Sequence, residues 1–368
     1  MNYRTMGNTG LRFPVVSFGA MRIPHVSMEE AVKVIQHAVE AGITHFETSP
    51  GYGDSEDKLG AALHDRREGL ILSTKSHALN ERTGDDLRRK MEDSFKRLRT
   101  DHLEFYQMWG VNNREIMDIV LAPGGPLEGA KKARGEGLID HIGFTTHAPH
   151  DIIEEMIKTG EFESVTISYN LLKRTDAPII DLAARHGMGV VIMNPIGGGV
   201  LGTPSETFLA ASGGKEKTTA ATALRYLLAH EHITCAIVGF RYPWEVDEMV
   251  EVCERFPGPD EAERRRMEDA LAELDKPLCT GCRYCMPCPQ EIKIAPILSI
   301  HQHGRIHGFC DWARERYATL EKTIEDCVDC GQCEEKCPQK LPVRDMLRQA
   351  HEELGPQNTE EAEREAEQ

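Results

Sequence analysis

Eight of the eleven cysteines lie in two tight runs, and none precedes Cys235. The second run is Cys327-x2-Cys330-x2-Cys333-x3-Cys337-Pro338. Two-residue gaps let three thiolates converge on three irons of one [4Fe–4S] cube, while a fourth thiolate, followed by proline, serves the other cube. The first run, Cys279-x2-Cys282-x2-Cys285-x2-Cys288-Pro289, is one residue shorter in its last gap. Cross-ligation then gives Cys279, Cys282, Cys285 and Cys337 to one cluster and Cys327, Cys330, Cys333 and Cys288 to the other. Structural zinc also accepts C-x2-C pairs, but it needs only two close pairs per ion. Three cysteines in series, twice, each run ending in Cys-Pro, exceed that need. Cys235, Cys253 and Cys310, the last of them between the two runs, are expected to be buried small hydrophobes.

A second constellation lies earlier in the chain. Glu47 stands at the end of one β-rich run with Tyr52 just beyond it, Lys75 ends the next, and Trp109 ends a third. A free phenol near pKa ~10 is a poor acid or base at neutral pH. An ammonium beside it favours the phenolate and should lower that value. A carboxylate would hold the lysine charged and oriented, and the tyrosine could then protonate a carbonyl oxygen as hydride arrives at carbon. Taken singly, Glu47 reads as a solvated strand end, Tyr52 as a packed loop aromatic and Lys75 as a surface amine. His147, at the end of a fifth run, is an outside candidate for an imidazole in the same cup; a solvated or helix-capping histidine is the plain alternative.

These residues need a scaffold that gathers strand ends. Short β-rich runs alternate with amphipathic stretches from about residue 15 to 255. The strands are expected at Val15–Gly19, Thr44–Thr48, Leu70–Thr74, Leu103–Met108, Ile139–Phe144, Ser164–Tyr169, Gly189–Met193 and Cys235–Val238. Apolar residues recur at three and four between them, for example over Met28–Ala41 and Gly84–Leu98. Eight such units over ~240 residues predict a closed (β/α)8 TIM barrel, with chemistry at the C-terminal strand ends. An open doubly wound sheet is the alternative, weakened because no G-x-G-x-x-G follows the first strand. Residues 2–13 read as a hairpin that would close the barrel's bottom. The expected domains are a barrel over 1–262, a linker helix over 263–276, a small α-helical iron–sulfur domain over 277–350 and an acidic tail over 351–368.

Composition narrows the partners. Lys and Arg number 43 against 60 Asp and Glu, a net charge of −17. Such a chain should repel nucleic acid and anionic lipid. No apolar run is long enough for a membrane span. The N-terminus lacks an apolar signal segment, so a cytoplasmic location is expected, and the cysteines are expected as metal ligands rather than disulfides.

The chain resembles the aldo/keto reductase family from about residue 2 to 255. It resembles in particular the subgroup with a C-terminal ferredoxin-like domain, which extends the likeness to about 350. The likeness rests on Tyr3-Arg4-x-x-Gly7-x-Thr9-Gly10-Leu11, on Tyr52-Gly53-x-Ser55-Glu56 and on Ser73-Thr74-Lys75. The family's Asp, Tyr, Lys and His tetrad then falls on Glu47, Tyr52, Lys75 and Trp109. Glu47 keeps the charge on one more methylene. Trp109 replaces an imidazole, which donates and accepts, with an indole that only donates. The resemblance implies NADP(H) contacts at Tyr169, Asn170, Gly197, Gly239 and Arg241. Arg241 would meet the 2′-phosphate, and the amides of Pro195-Ile196-Gly197-Gly198-Gly199 would line the pyrophosphate. Thr166, Met193 and Met249 depart from the family's usual Gln, Tyr and Asn.

The function expected is NADP(H)-linked carbonyl or alcohol redox chemistry on a small molecule. Electrons would pass through two [4Fe–4S] clusters to an outside redox protein. A lyase or isomerase using Tyr52/Lys75 proton chemistry is one alternative. An electron-transfer module with a vestigial barrel site is another.

Overall fold

The computed structural model describes residues 1–77, 80–272, 279, 285–337 and 340–356. The strands are β1 (Tyr3–Thr5), β2 (Arg12–Pro14), β3 (Val16–Gly19), β4 (His45–Glu47), β5 (Ile71–His77), β6 (Leu103–Trp109), β7 (Ile139–Thr145), β8 (Ser164–Ser168), β9 (Gly189–Met193) and β10 (Cys235–Gly239). The helices running with them are α1 (Met28–Glu40), α2 (Ser55–Leu63), α3 (Gly84–Leu98), α4 (Arg114–Leu121), α5 (Pro126–Gly135), α6 (His150–Lys158), α7 (Ala177–Arg185), α8 (Glu206–Ala211), α9 (Thr219–Ala229) and α10 (Pro243–Arg255). Five more follow: α11 (Glu261–Leu271), α12 (Ile294–His307), α13 (Cys310–Ala318), α14 (Gln332–Glu335) and α15 (Val343–Leu354).

Strands β3 to β10 form a closed parallel barrel. Closure is made by β10, whose Ala236 to Gly239 pair with Val16 to Gly19 of β3. That pairing removes the open-sheet alternative, because no edge is left. The connecting helices are punctuated where the sequence signals it. Ser27 and Glu30 form a capping box at the start of α1, and Thr83 and Asp86 form another at α3.

The N-terminal hairpin pairs Tyr3 with Pro14 and Thr5 with Arg12. Its Met6 and Phe13 are fully buried with Ile71, Phe105, Val191, Cys235 and Ile237. The inside of the barrel is therefore apolar at this end. A Cβ on Gly7 would meet the Gly187 carbonyl oxygen and, at 2.5 Å, the Gly189 nitrogen, and its φ is +48°, so glycine is required where the hairpin meets the start of β9.

Chain contacts divide the molecule into two compact units. The first holds residues 1–198 and 223–264, and the second holds 199–222 and 265 onward. The expected division is a barrel over 1–262 and a linker helix over 263–276; here the stretch from 265 onward groups with the C-terminal unit, and so do residues 199–222. The reason is aromatic packing. Phe208 of α8 stacks on Phe309 with centroids 5.3 Å apart, and Ser205 Oγ donates to the His307 carbonyl at 2.7 Å. Helix α15 also runs to Leu354, past the expected edge of the tail at 350, because Ala350 and Leu354 are buried. The rest of that tail, 357–368, lies outside the described residues. Among the described residues, no helix is long and apolar enough to cross a membrane.

Candidate active site

Register explains how the barrel gathers its polar residues. In parallel strands, paired residues point to the same face, and so do residues two apart. Glu47 pairs with Ser73, and Lys75 pairs with Gln107. Ser73 and Lys75 are two apart, so all four share one face, and Trp109 follows two residues after Gln107. Glu47 and Lys75 are 4 % and 3 % exposed, and Lys75 Nζ makes a short ion pair with Glu47 Oε1. Behind them Gln107 Nε2 donates to Ser73 Oγ at 3.0 Å, and Thr166 Oγ1 donates to Gln107 Oε1 at 2.9 Å.

Tyr52 stands beside this pair. Lys75 Nζ lies 4.6 Å from the centroid of its ring, within cation–π range. The Trp109 ring meets the Tyr52 ring edge-on, with centroids 6.2 Å apart. A Cβ on Gly51 would touch the indole at 2.7 Å, so the small residue lets the loop lie against it. The structure thus brings Glu47, Tyr52, Lys75 and Trp109 together.

Proton affinities differ from the sequence expectation. Burial pulls the Lys75 ammonium down to about 7, while the touching Glu47 carboxylate acts in the opposite sense. Burial pushes the Tyr52 phenol up to about 12. The lysine therefore does not make the phenol more acidic, because loss of water outweighs its charge. Tyr52 holds its proton across the neutral range, and Lys75 is the group that titrates there. His45, two residues before Glu47, is fully buried with Nδ1 unpartnered; desolvation first, and the Lys75 charge second, bring it down to about 3 and keep it neutral. His147 is exposed, its backbone N–H donating to Asn112 Oδ1 at 2.7 Å.

The sequence singled out neither Ser73, Gln107 nor Thr166 for this polar chain. The signal that could have found the first two is alternation: counting back or forward by two from Lys75 and Trp109 reaches both. Glu56, quoted only as part of a motif, is buried and accepts from Thr74 Oγ1 at 2.7 Å and from Arg97 Nε at 2.6 Å. It fastens α2 to β5 and α3 rather than meeting a substrate.

The residues expected at a nucleotide are placed unequally. Tyr169 is fully buried, its hydroxyl 2.5 Å from that of Tyr226 and the rings stacked, so it presents no surface to a ligand. Asn170 is spent on backbone, donating to the Asn194 carbonyl at 2.8 Å and accepting from the Leu172 and Lys173 amides. These two depart from the expectation, because Tyr226 of α9 takes the Tyr169 hydroxyl and the turn after β8 takes the Asn170 side chain. Met249 is buried. Gly197 and Gly198 have φ of +55° and +71°, and the Gly198 carbonyl accepts from Arg22 at 2.9 Å. Gly239 is exposed at the end of β10. Arg241 is half exposed with Glu245 3.8 Å from its guanidinium, and the Glu245 carboxylate also accepts from the Arg241 and Tyr242 amides. The exposed glycine backbone and the guanidinium fit an anionic nucleotide, with Glu245 as a competitor for the arginine.

In the C-terminal unit, Cys279, Cys285, Cys288, Cys327, Cys333 and Cys337 join one apolar cluster with Ile297, Leu298, Tyr317 and Leu347. Cys330 is exposed, and Cys282 lies outside the described residues. The described cysteines are free thiols. Both runs therefore supply sulfur to one small core, and the Asp329 amide points at Cys327 Sγ at 3.4 Å. Among the described residues, no three thiols lie within 4.8 Å of one another. Tetrahedral zinc with bonds of about 2.3 Å would need its sulfurs about 3.8 Å apart. Cys235 and Cys253 are buried as expected, but Cys310 is exposed at the start of α13, its thiol donating to the Gly304 carbonyl at 3.5 Å.

Comparison with known proteins supplies the family. A model of the aldo/keto reductase family matches residues 15–208, and a 4Fe-4S dicluster domain matches 278–342. The chain belongs to the aldo/keto reductase family. It is thereby an oxidoreductase, with an iron–sulfur domain joined at its C-terminal side. It is 28% identical over 280 residues to L-galactose dehydrogenase of Arabidopsis thaliana, covering 67% of this chain and 86% of that protein. It is 29% identical over 229 residues to the uncharacterized oxidoreductase YrpG of Bacillus subtilis, covering 55% of this chain and 68% of that one. The holo form of aldo-keto reductase AKR11C1 from Bacillus halodurans superposes with a TM-score of 0.63 at 23% identity, over 73% of this chain and 96% of that one. The thermostable aldo-keto reductase Tm1743 gives the same TM-score at 24% identity, over 73% and 100%. Both structural likenesses speak to the fold.

Proposed function

We propose that this aldo/keto reductase interconverts a small carbonyl and its alcohol with NADP(H), and that two [4Fe–4S] clusters link it to a redox protein. The observation that carries the reading is the buried Glu47–Lys75 pair lying against the Tyr52 ring. NADP(H), when bound, would supply or accept hydride; Gly197, Gly239 and Arg241 are the residues to hold it. Tyr52 donates its proton to the substrate oxygen, or takes it back in the oxidative direction. Lys75 refills or drains the phenol, since burial sets its proton affinity near neutrality. Glu47 fixes the amine in place. Trp109 walls the pocket and offers one N–H donor.

The cluster assignment rests on the cysteine spacing and on the shared apolar core. Each cube, when bound, would carry a single electron; the hydride exchange between NADP(H) and the substrate balances without them, so the cubes would serve a separate one-electron exchange with the redox protein.

The test is anaerobic purification with iron and sulfide counts, followed by NADPH and NADH titration. Loaded clusters together with NADPH binding and carbonyl-dependent NADPH oxidation support the reading. Full cluster loading without any nucleotide binding overturns it.

A further inference from the structure

A second side-chain cluster sits at the opposite end of the barrel from Glu47 and Lys75, in the turn that leads from α9 into β10. Its sequence is His230-Glu231-His232, and Asp181 faces it from α7. His232 Nδ1 lies 2.8 Å from Asp181 Oδ1, and His230 Nε2 lies 3.9 Å from the same oxygen. All three atoms fall within 4.8 Å of one another. We propose that Asp181, His230 and His232 form a binding site for a borderline divalent transition cation such as zinc.

Geometry supports the assignment. Tetrahedral zinc with bonds of 2.0–2.1 Å places its ligand atoms about 3.3 Å apart. The two separations to Asp181 lie on either side of that value and all three ligand atoms lie within 4.8 Å of one another, so the side chains need only draw together to close the site. Two imidazoles and one carboxylate select a zinc-like ion over calcium or magnesium, which take oxygen ligands. Asp181 and His232 are partly exposed, which leaves room for water as a further ligand.

The turn is held rigid before any ion arrives. Arg4, reaching from the N-terminal hairpin, donates to the carbonyls of Leu228, His230 and Ile233. The Asp260 amide adds a bond to the Ala229 carbonyl at 3.0 Å. His230 is 3 % exposed and so is held in one place by its surroundings. One bond opposes the site. The His232 amide donates to His230 Nδ1 at 3.3 Å, and metal at Nε2 moves the remaining ring proton to Nδ1 and forfeits that long contact. The Arg264 charge near His230 is offset by its pair with Glu261 at 2.6 Å.

The ion would act as a staple, tying α7 to the turn before the closing strand. Binding the folded state alone raises stability by mass action. The test uses full-length, iron-loaded protein dialysed against Zn2+ with excess Mg2+, followed by elemental analysis. The expected result is one zinc equivalent more in the wild type than in Asp181→Asn or His232→Ala, at equal iron content. Glu231→Gln should retain the extra equivalent. Zinc should also raise the Tm of the wild type and not of His232→Ala. Equal zinc uptake by the wild type and both variants overturns the site, and so does loss of the extra zinc to Mg2+. Because these readouts do not involve NADPH or substrate, the outcome is independent of the redox reading.

Discussion

The two units are stabilised by different means. In the barrel itself every strand from β3 to β10 has two neighbours, and the buried aromatics Phe18, Phe46 and Phe240 pack together with centroids 5.4 Å apart. The C-terminal unit has short helices, α14 among them, and a small apolar cluster in which thiols stand where a larger domain would place leucines. A segment of this size buries too little apolar surface to fold securely alone. The lesson is that the barrel gets its order from packing, whereas the appendage depends on what its cysteines bind.

Removing the iron should break this contrast most visibly. Chelation, or Cys333→Ala, should open α12, α13 and α15 to protease while residues of the barrel stay protected. Equal resistance with and without iron would show that the apolar cluster suffices. Next in size is Tyr52→Phe, which should lower turnover by about 10²–10⁴-fold with Tm nearly unchanged. A loss below threefold would remove the phenol from the chemistry. Lys75→Met leaves the Glu47 carboxylate buried and unpaired, at a cost of about 3–5 kcal/mol. Denaturant unfolding measures it, and wild-type stability would mean that the ion pair is not structural.

The pH profile comes next. Reduction needs the Lys75 ammonium to refill Tyr52, so kcat/KM should be highest at low pH and fall as pH rises through about 7. Oxidation needs the free amine and should show the mirror image. Tyr52 stays protonated over this window, so it contributes no limb there. The Glu47 contact displaces the midpoint upward. A profile flat from pH 6 to 9 would assign the proton relay elsewhere. The smallest effect is expected at the nucleotide. Glu245→Gln frees Arg241 from its acidic neighbour and should tighten NADPH binding a few-fold, read by fluorescence titration, at an energy of about 0.5–1 kcal/mol.

Much of this was legible in the residues. Eight β-rich runs mark eight barrel strands because a parallel strand covered on both faces must be apolar along its length. Glu47, Tyr52, Lys75 and Trp109 were legible because each stands in the last residues of a strand or in the loop after it. What stayed hidden depends on register or on distant contact. The Ser73–Gln107–Thr166 chain exists only once Lys75 is paired with Gln107. Tyr169 looked like a ligand contact, yet Tyr226, 57 residues on in α9, claims its hydroxyl. Asp181 and His232 are far apart in the chain, and nothing in either segment alone announces the other. Cys310 looked like core but stands exposed at a helix start, where no neighbouring side chain covers it fully.

The grouping of residues 199–222 with the C-terminal unit sets a limit on modularity. A polypeptide ended at residue 262 would keep Phe208 and lose Phe309, leaving a bare aromatic where a stacked pair had been. Such a truncate should be sticky rather than a well-behaved half-enzyme. Grafting this iron–sulfur appendage onto another reductase would require transplanting α8 along with it.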